Sequence, residues 1–434
     1  MTEGNLIVAC DFGTTSFRAV VAELASGRPP RLLAGATVPA EGFRDGDFVD
    51  LKAGSVAISR LLREVQNAAG VVVRGFGFNI TGSHLRSVMA TGQIPLSPGG
   101  REITDHDVAE VMSMARSLTI PFDHRILAVN PVEFSVDRVG GIQDPRGRAG
   151  SRLEVKAHLI TGACSVIRNN ENAIEKAGFT PAGHAVDVLA AATCLLTESE
   201  LERGVLLIDI GGSVTHWAAL AGGRLLGIGA TPWGGWHMTH DLASGLRIEH
   251  AAAEAVKCDR GVALRSLVED VDVNVLFEED NPEETPGLVA AILEPRLEEI
   301  VSLIKDSLGP DITRNRLGAG IVLTGGGSRC RGSHNLVDEV FGLPARTRYL
   351  PDDLEGAAHL PPGQWATALG LALWGGGSDR AEAIAPAGSA TGDRGWRAWL
   401  GRLLRRRPSR AAAAATRANA GADQIVLGRA ASVC

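Results

Sequence analysis

One layout occurs twice in this chain, and few folds accommodate it. In Val205 to Trp217, VLLIDIGGSVTHW, four branched apolar residues run into Asp209, then two glycines, a Ser and a Thr. Leu6 to Phe17, LIVACDFGTTSF, has the same order 198 residues earlier: an apolar run, Asp11, Gly13, Thr14 and Thr15, followed by the alternating run Arg18 to Leu24. Each copy reads as a buried strand, a glycine-permitted turn and a returning strand, so the pair predicts an internal duplication. A third glycine turn, IVLTGGGS at Ile321 to Ser328, also follows a buried strand. A single turn of this kind could be a plain hairpin. Three of them imply a phosphate site, because glycines let a phosphate reach bare backbone N–H groups. A carboxylate at the strand end can hold a hydrated Mg²⁺ beside it.

With 434 residues, 45% of them hydrophobic, the chain can bury a large core and is expected to form two domains or more. A net charge of -7 argues against a general nucleic-acid binder. The cysteines, Cys10, Cys164, Cys194, Cys258, Cys330 and Cys434, include no CxxC pair, so neither a disulfide framework nor a zinc site is expected, and a reducing cytoplasm fits. The opening MTEGNLIVACDF lacks the features of a signal peptide. Nowhere do about 18 apolar residues run uninterrupted, so no membrane span is expected.

The helical spacing of Val56, Leu61, Leu62 and Val65 predicts a helix over Phe48 to Ala69 that stops at Gly70, and Val71 to Ile80 returns to a strand. From about 83 to 162 the pattern describes an inserted module: a strand at Arg86 to Met89, a helix over Asp105 to Ser117, and strands around Arg125 to Val139 and Leu153 to Thr161. Thr104 and Asp107 form a capping-box pair at the helix start. Leu153, Val155, Ala157 and Leu159 alternate with Glu154, Lys156 and His158, which predicts one wet face. Helices are expected over Ile167 to Ala177 and Asp187 to Leu196, with Thr197 to Arg203 a polar hinge. Beyond the Asp209 turn two strands run to Thr231, followed by Gly234-Gly235 and a helix from about Met238. Glu254 and Lys257 share a helix face, Glu278 to Pro286 reads as a solvated acidic loop, Leu288 to Leu308 as a long helix despite Pro295, and Trp365 to Leu373 closes the folded part.

The resulting division is 1–82 plus 163–200, the insertion 83–162, and 201–374 with a subdomain at about 240–315. Residues 375–393 read as a flexible linker and 408–434 as a disordered, Ala-rich tail. Between them, Trp396, Trp399, Leu400, Leu403 and Leu404 fall on one stripe of a helix at 394–407, ringed by Arg394, Arg397, Arg402, Arg405, Arg406 and Arg407. Such a stripe suits burial in an anionic membrane surface. The alternative is a terminal helix packed on the body.

The two DxG turns with TGGGS resemble the ATPase core shared by actin, sugar kinases and heat-shock chaperones. ITGSHLRSV, DHRILAVNPVEFSVDRVGGIQDPRG, KAHLITG, WHMTHDLASGL, WATALGLAL and the terminal amphipathic stripe resemble, more narrowly, the FtsA family of bacterial actin homologues. The resemblance implies an α/β protein with an actin-like ATPase fold: two duplicated ribonuclease-H-like domains around a nucleotide cleft, with an FtsA-type subdomain inserted. It implies ATP and Mg²⁺ as ligands, at most slow ATPase activity, and the nucleotide as an assembly switch. Asp11 and Asp209 would hold Mg²⁺ through water. Gly13, Thr14, Thr15, Gly211 and Gly212 would wrap the phosphates, Glu254 and Lys257 would meet the ribose and adenine side, and Gly325, Gly326, Gly327 and Ser328 the adenosine. Asp187 would orient attacking water, or else is an ordinary helix-start carboxylate. Implied partners are an FtsZ C-terminal peptide, a second copy in a head-to-tail polymer, anionic lipids and later division proteins. The implied place is the cytoplasmic side of the inner membrane at the septum.

One departure stands out. The family usually reads Asp-x-Gly-Gly-Gly-Thr at the second turn, and here Ser213 and Val214 replace the last Gly and Thr. Val214 offers no hydroxyl, Ser213 crowds the backbone approach that Gly permits, and Thr215 faces the other side of the strand. Nucleotide binding is thus expected to survive better than hydrolysis. His216 reads as a packed or surface histidine. Two other readings stay open: a metabolic kinase of the same superfamily, and an actin-like scaffold of the pilus-assembly type.

Overall fold

Two five-stranded sheets of one design form the body of the protein. The computed structural model describes residues 5–24, 31–117, 120–268, 286–309, 312, 314–351, 354–356, 360 and 365–376. In the first half, β1 (Asn5–Phe12), β2 (Ser16–Leu24) and β3 (Arg31–Pro39) form an antiparallel meander. The hairpin of β4 (Phe43–Arg44) and β5 (Asp47–Phe48) leads into α1 (Leu51–Ala69), and β6 (Gly75–Ile80) adds parallel to β1.

The inserted segment comprises β7 (Arg86–Pro95), β8 (Arg101–Glu102), α2 (Asp105–Arg116), β9 (His124–Val136), β10 (Val139–Ile142), β11 (Ala149–Gly150) and β12 (Arg152–Ala163). The chain returns through α3 (Cys164–Lys176), β13 (Thr180–Val186) parallel to β6, α4 (Asp187–Leu195) and α5 (Glu198–Arg203).

The second half repeats the plan. A meander of β14 (Val205–Ile210), β15 (Thr215–Ala221) and β16 (Arg224–Thr231) is followed by α6 (Gly235–Leu246), α7 (His250–Arg260) and α8 (Pro286–Ser307). Next come β17 (Ile321–Thr324) parallel to β14, α9 (Ser333–Phe341), β18 (Ala345–Thr347) parallel to β17, and α10 (Ala366–Gly376). Sheet orders are β13-β6-β1-β2-β3 and β18-β17-β14-β15-β16. The duplication read from two hairpins thus extends to whole sheets, each a meander with two parallel strands added beside its first strand.

Local chemistry sets the boundaries. The Asp50 carboxylate accepts from the Lys52 and Ala53 amides at 2.9 and 3.0 Å, so α1 begins at Leu51, later than its apolar pattern predicts. Gly70, at φ 67, closes it in the left-handed region. Leu61, Leu62 and Val65 point inward as expected, but Val56 is 57% exposed and Ile58 fills the core instead. Val72 is also exposed, and the following strand starts only at Gly75. In the inserted sheet, ordered β10-β9-β12-β7, α2 packs over a separate core that includes Val111, Met112, Phe134, Leu153 and Val155. Thr104 and Asp107 cap α2 reciprocally.

The wet face predicted for β12 ends at Lys156. His158 is buried, donating from Nε2 to the Leu226 carbonyl at 2.8 Å and accepting from Ser87 Oγ at 2.9 Å. Arg224 Nη1 donates to the Val132 carbonyl at 2.6 Å. The module therefore rests on β16, and docking dries the lower half of the strand. Further elements without a counterpart in the sequence reading include β3, β13, α9 and β18, and the expected hinge at 197–203 is mostly the helix α5. Its Glu200 carboxylate, buried, meets Arg348 Nη1 at 2.7 Å and also pairs with Arg346.

Phe12, Phe17, Phe43, Phe48, Phe76 and Phe78 build an aromatic core beside the first sheet. α10 crosses α4 at Gly370, where a Cβ would stand 1.8 Å from the Ala190 carbonyl oxygen. No helix among the described residues is long and apolar enough to cross a membrane. Residues 278–285 of the acidic run, the linker beyond 376, the amphipathic stripe with Trp396, Trp399, Leu400, Leu403 and Leu404, and the Ala-rich tail lie outside the described residues.

Candidate nucleotide-binding site

The two duplicated hairpins face each other across a cavity of about 350 Å³. Each strand carries its aspartate one residue before its end and turns by the same bond: Gly13 N donates to Ser16 O at 3.2 Å, and Gly211 N to Val214 O at 3.1 Å. Close approach explains the glycines. A Cβ on Gly212 would lie 3.0 Å from Thr14 Cβ. Gly325, at φ 84, closes the third turn so near that a Cβ would stand 2.3 Å from Asp209 Oδ1. Asp11, Gly13, Thr14, Thr15, Asp187, Asp209, Gly211, Gly212, Glu254, Lys257, Gly325, Gly326 and Gly327, gathered from all parts of the chain, line this one cavity.

Ser328 does not. It is buried, and its hydroxyl donates to Gly325 O at 2.8 Å, holding the turn from behind while Arg329 lines the cavity beside it.

Three carboxylates converge on the floor. Burial, opposed by Arg18 and aided by the Asp187 charge, pushes Asp11 up to about 6. Asp209 is pushed up to about 7 by burial and then by the Asp187 charge, against the pull of His216. Arg18 Nη1 lies 3.3 Å from Asp11 Oδ2. Asp187, at the start of α4, accepts from Val188 N at 2.6 Å through Oδ1, and its Oδ2 lies 3.0 Å from His216 Nδ1. Burial alone would lower the His216 pKa, but the charge and hydrogen bond of Asp187, together with the Asp209 charge and the Gly82 carbonyl, outweigh it and hold the value above the ordinary range. His216 Nε2 lies 3.4 Å from the Gly82 carbonyl at the root of the inserted module. His216 is packed, as expected, but its pairing with Asp187 was not foreseen. The hairpin register marks His216 as a site residue though not its partner: it stands opposite Asp209 as Arg18 stands opposite Asp11.

At the other end, Lys257 is fully engaged. Its ammonium donates to Gly235 O at 2.9 Å, Thr239 Oγ1 at 2.7 Å and Glu254 Oε2 at 2.7 Å. Three acceptors exhaust its three hydrogens, so Lys257 positions the α6 start and Glu254. Among the described residues, Glu254 Oε1 has only a weak thiol donor, Cys258 Sγ at 3.4 Å. Trp236, Cys258, Ala366 and Thr367 also line the cavity; Trp236 opens WHMTHDLASGL and Ala366 and Thr367 lie in WATALGLAL, motifs to which the sequence assigns no site role, and Cys258 carries no pattern. In the irregular second turn Val214 is buried, Thr215 Oγ1 donates to Trp233 O at 2.7 Å away from the turn, and Ser213 Oγ meets Thr14 Oγ1 at 2.8 Å.

The donor set fits a polyphosphate with a divalent cation. Glycine turns present backbone N–H groups, and the three converging carboxylates Asp11, Asp187 and Asp209 face only Arg18 and His216 as neighbouring countercharges among the described residues, one fewer than their own number.

The profile of the SHS2 domain inserted in FtsA matches residues 82–161, and that of cell division protein FtsA matches 206–370. Cell division protein FtsA of Borreliella burgdorferi is 32% identical over 376 residues, covering 85% of this chain and 91% of that protein. Among solved structures, the PilM-PilN type IV pilus biogenesis complex aligns with TM-score 0.57 at 19% identity, over 85% of this chain and 98% of that one. MreB5 of Spiroplasma citri bound to ADP aligns with TM-score 0.46 at 15% identity, over 84% and 94%. With duplicated sheets in the actin-like ATPase arrangement, an SHS2-type insertion, the matching FtsA profile and 32% identity to a cell division protein FtsA along most of its length, the chain belongs to the FtsA family of cell division proteins.

Proposed function

We propose that this protein binds ATP with Mg²⁺ in the cleft and anchors FtsZ polymers to the cytoplasmic face of the inner membrane at the division septum. The observation that carries the nucleotide half is the convergence of three glycine turns on two strand-end carboxylates. Asp11 and Asp209 would hold the metal, which supplies charge neutralisation at the phosphates. Glu254 Oε1, met by the weak Cys258 thiol donor, would accept from a ribose hydroxyl. Asp187, paired with His216, would orient water. The family supports the division role. Head-to-tail self-assembly and contacts with an FtsZ C-terminal peptide and later division proteins belong to the same reading. The Trp396, Trp399, Leu400, Leu403 and Leu404 stripe is its membrane contact.

The deciding experiment is nucleotide titration with and without Mg²⁺, followed by phosphate release on anionic vesicles. Micromolar binding with slow release supports a nucleotide-switched anchor, and no binding refutes it. The fold-level likeness to a pilus-assembly complex keeps a scaffold role as the second reading, which failure to bind an FtsZ C-terminal peptide would favour.

A further inference from the structure

The residue that makes the second turn irregular has a partner in the first. Ser213 Oγ lies 2.8 Å from Thr14 Oγ1, a hydrogen bond between turns that belong to different sheets. Both residues line the cavity, and Ser213 is 3% exposed. Val214 is apolar and the Thr215 hydroxyl is committed to Trp233 O, so Ser213 carries the one side-chain hydroxyl that the second turn presents to the cleft. The bond forms where the backbones come closest, beside the Gly212–Thr14 contact.

If the sugar of a nucleotide sits at Glu254 and Gly325–Gly327, as the function above has it, its phosphate chain extends toward these two hydroxyls. We propose that Ser213 is a ligand of the terminal phosphate of a nucleoside triphosphate, and that this phosphate displaces the Thr14–Ser213 hydrogen bond. Each hydroxyl exchanges a neutral partner across the cleft for an anionic oxygen, and hydrogen bonds to charged acceptors are roughly twice as strong as neutral ones. A diphosphate ends one group short and leaves the two hydroxyls paired. Ser213 therefore sets the preference for triphosphate over diphosphate and restores the hydroxyl that Val214 lacks. Simple crowding by Ser213 would behave differently, weakening both nucleotides alike.

The test is isothermal titration of the full chain in Mg²⁺ with ADP and with a non-hydrolysable ATP analogue, for wild type and for Ser213→Gly, Ser213→Ala and Ser213→Thr. Loss of one such hydrogen bond predicts a triphosphate affinity lower by about five- to tenfold for Gly and Ala. ADP affinity should stay within about twofold on the same scale, which also shows that the variants fold, and Thr should restore wild-type discrimination. An unchanged triphosphate-to-diphosphate ratio, or tighter binding of both ligands by Ser213→Gly, would overturn the proposal. A wild-type protein that binds neither nucleotide would instead refute the nucleotide reading itself, and the Ser213 role with it.

Discussion

Asp209 illustrates how a site residue works against the fold that carries it. Its pKa rises from the ordinary 3.8 to about 7, because burial and Asp187 both disfavour the anion. A carboxyl with a raised folded value contributes stability that is complete below pH 3.8 and lost as pH climbs to about 7. Asp209→Asn should therefore stabilise the protein by roughly 1–3 kcal/mol at pH 8, with the gain shrinking toward zero near pH 4. Denaturant melts at the two pH values check this, and a pH-independent gain would contradict it. The same variant should weaken Mg²⁺-ATP binding by more than about tenfold. Gly325→Ala, which combines a positive φ with a Cβ close to Asp209 Oδ1, should cost roughly 2–4 kcal/mol of stability.

At the scale of elements, short segments with weak patterns hold the halves together. Thr197 to Arg203 reads as a polar hinge because its sequence is polar, yet α5 is ordered through Glu200, whose partners Arg346 and Arg348 lie about 150 residues away along the chain. Burial opposes ionisation of Glu200, but its hydrogen bonds to Arg348, Thr197 and Arg346 bring its pKa down to about 2. A depressed carboxylate contributes stability above the ordinary Glu range, and that contribution is lost as pH falls toward 2. Glu200→Gln should cost roughly 2–4 kcal/mol near neutrality, and the gap from wild type should close as pH falls from 4.5 to 2. A constant gap in urea melts across that range would count against the ion triad. His158 shows the converse: an alternating strand predicts a wet face, and docking on β16 removes it.

For the whole molecule, the cleft exists only because both sheets are in place, so its ligand should hold them together. Mg²⁺-ATP at about 100 times its Kd should add about 2.7 kcal/mol to the unfolding free energy, seen as a higher Tm. A Tm unmoved by nucleotide would speak against a ligand that bridges the halves. On anionic vesicles, Trp396→Glu combined with Leu400→Glu should abolish pelleting of the full chain while leaving the nucleotide-induced Tm shift unchanged. Unchanged pelleting would refute the amphipathic anchor.

The sequence by itself determined the duplicated hairpins, the three glycine turns and the strand-end aspartates. These are local properties: a buried strand, a turn that only glycine fits and a carboxylate at its end lie within a dozen consecutive residues. The capping box of α2 and the tolerance of α8 for Pro295 were legible for the same reason. Only the tertiary structure decided the Asp187–His216 pair, the exhaustion of Lys257, the retreat of Ser328 behind its turn, and the Thr14–Ser213 bond. Most of these join residues distant in sequence or depend on which way a turn faces. Such contacts have no spacing of their own, because they arise only when the two sheets and the helices beside them are packed together.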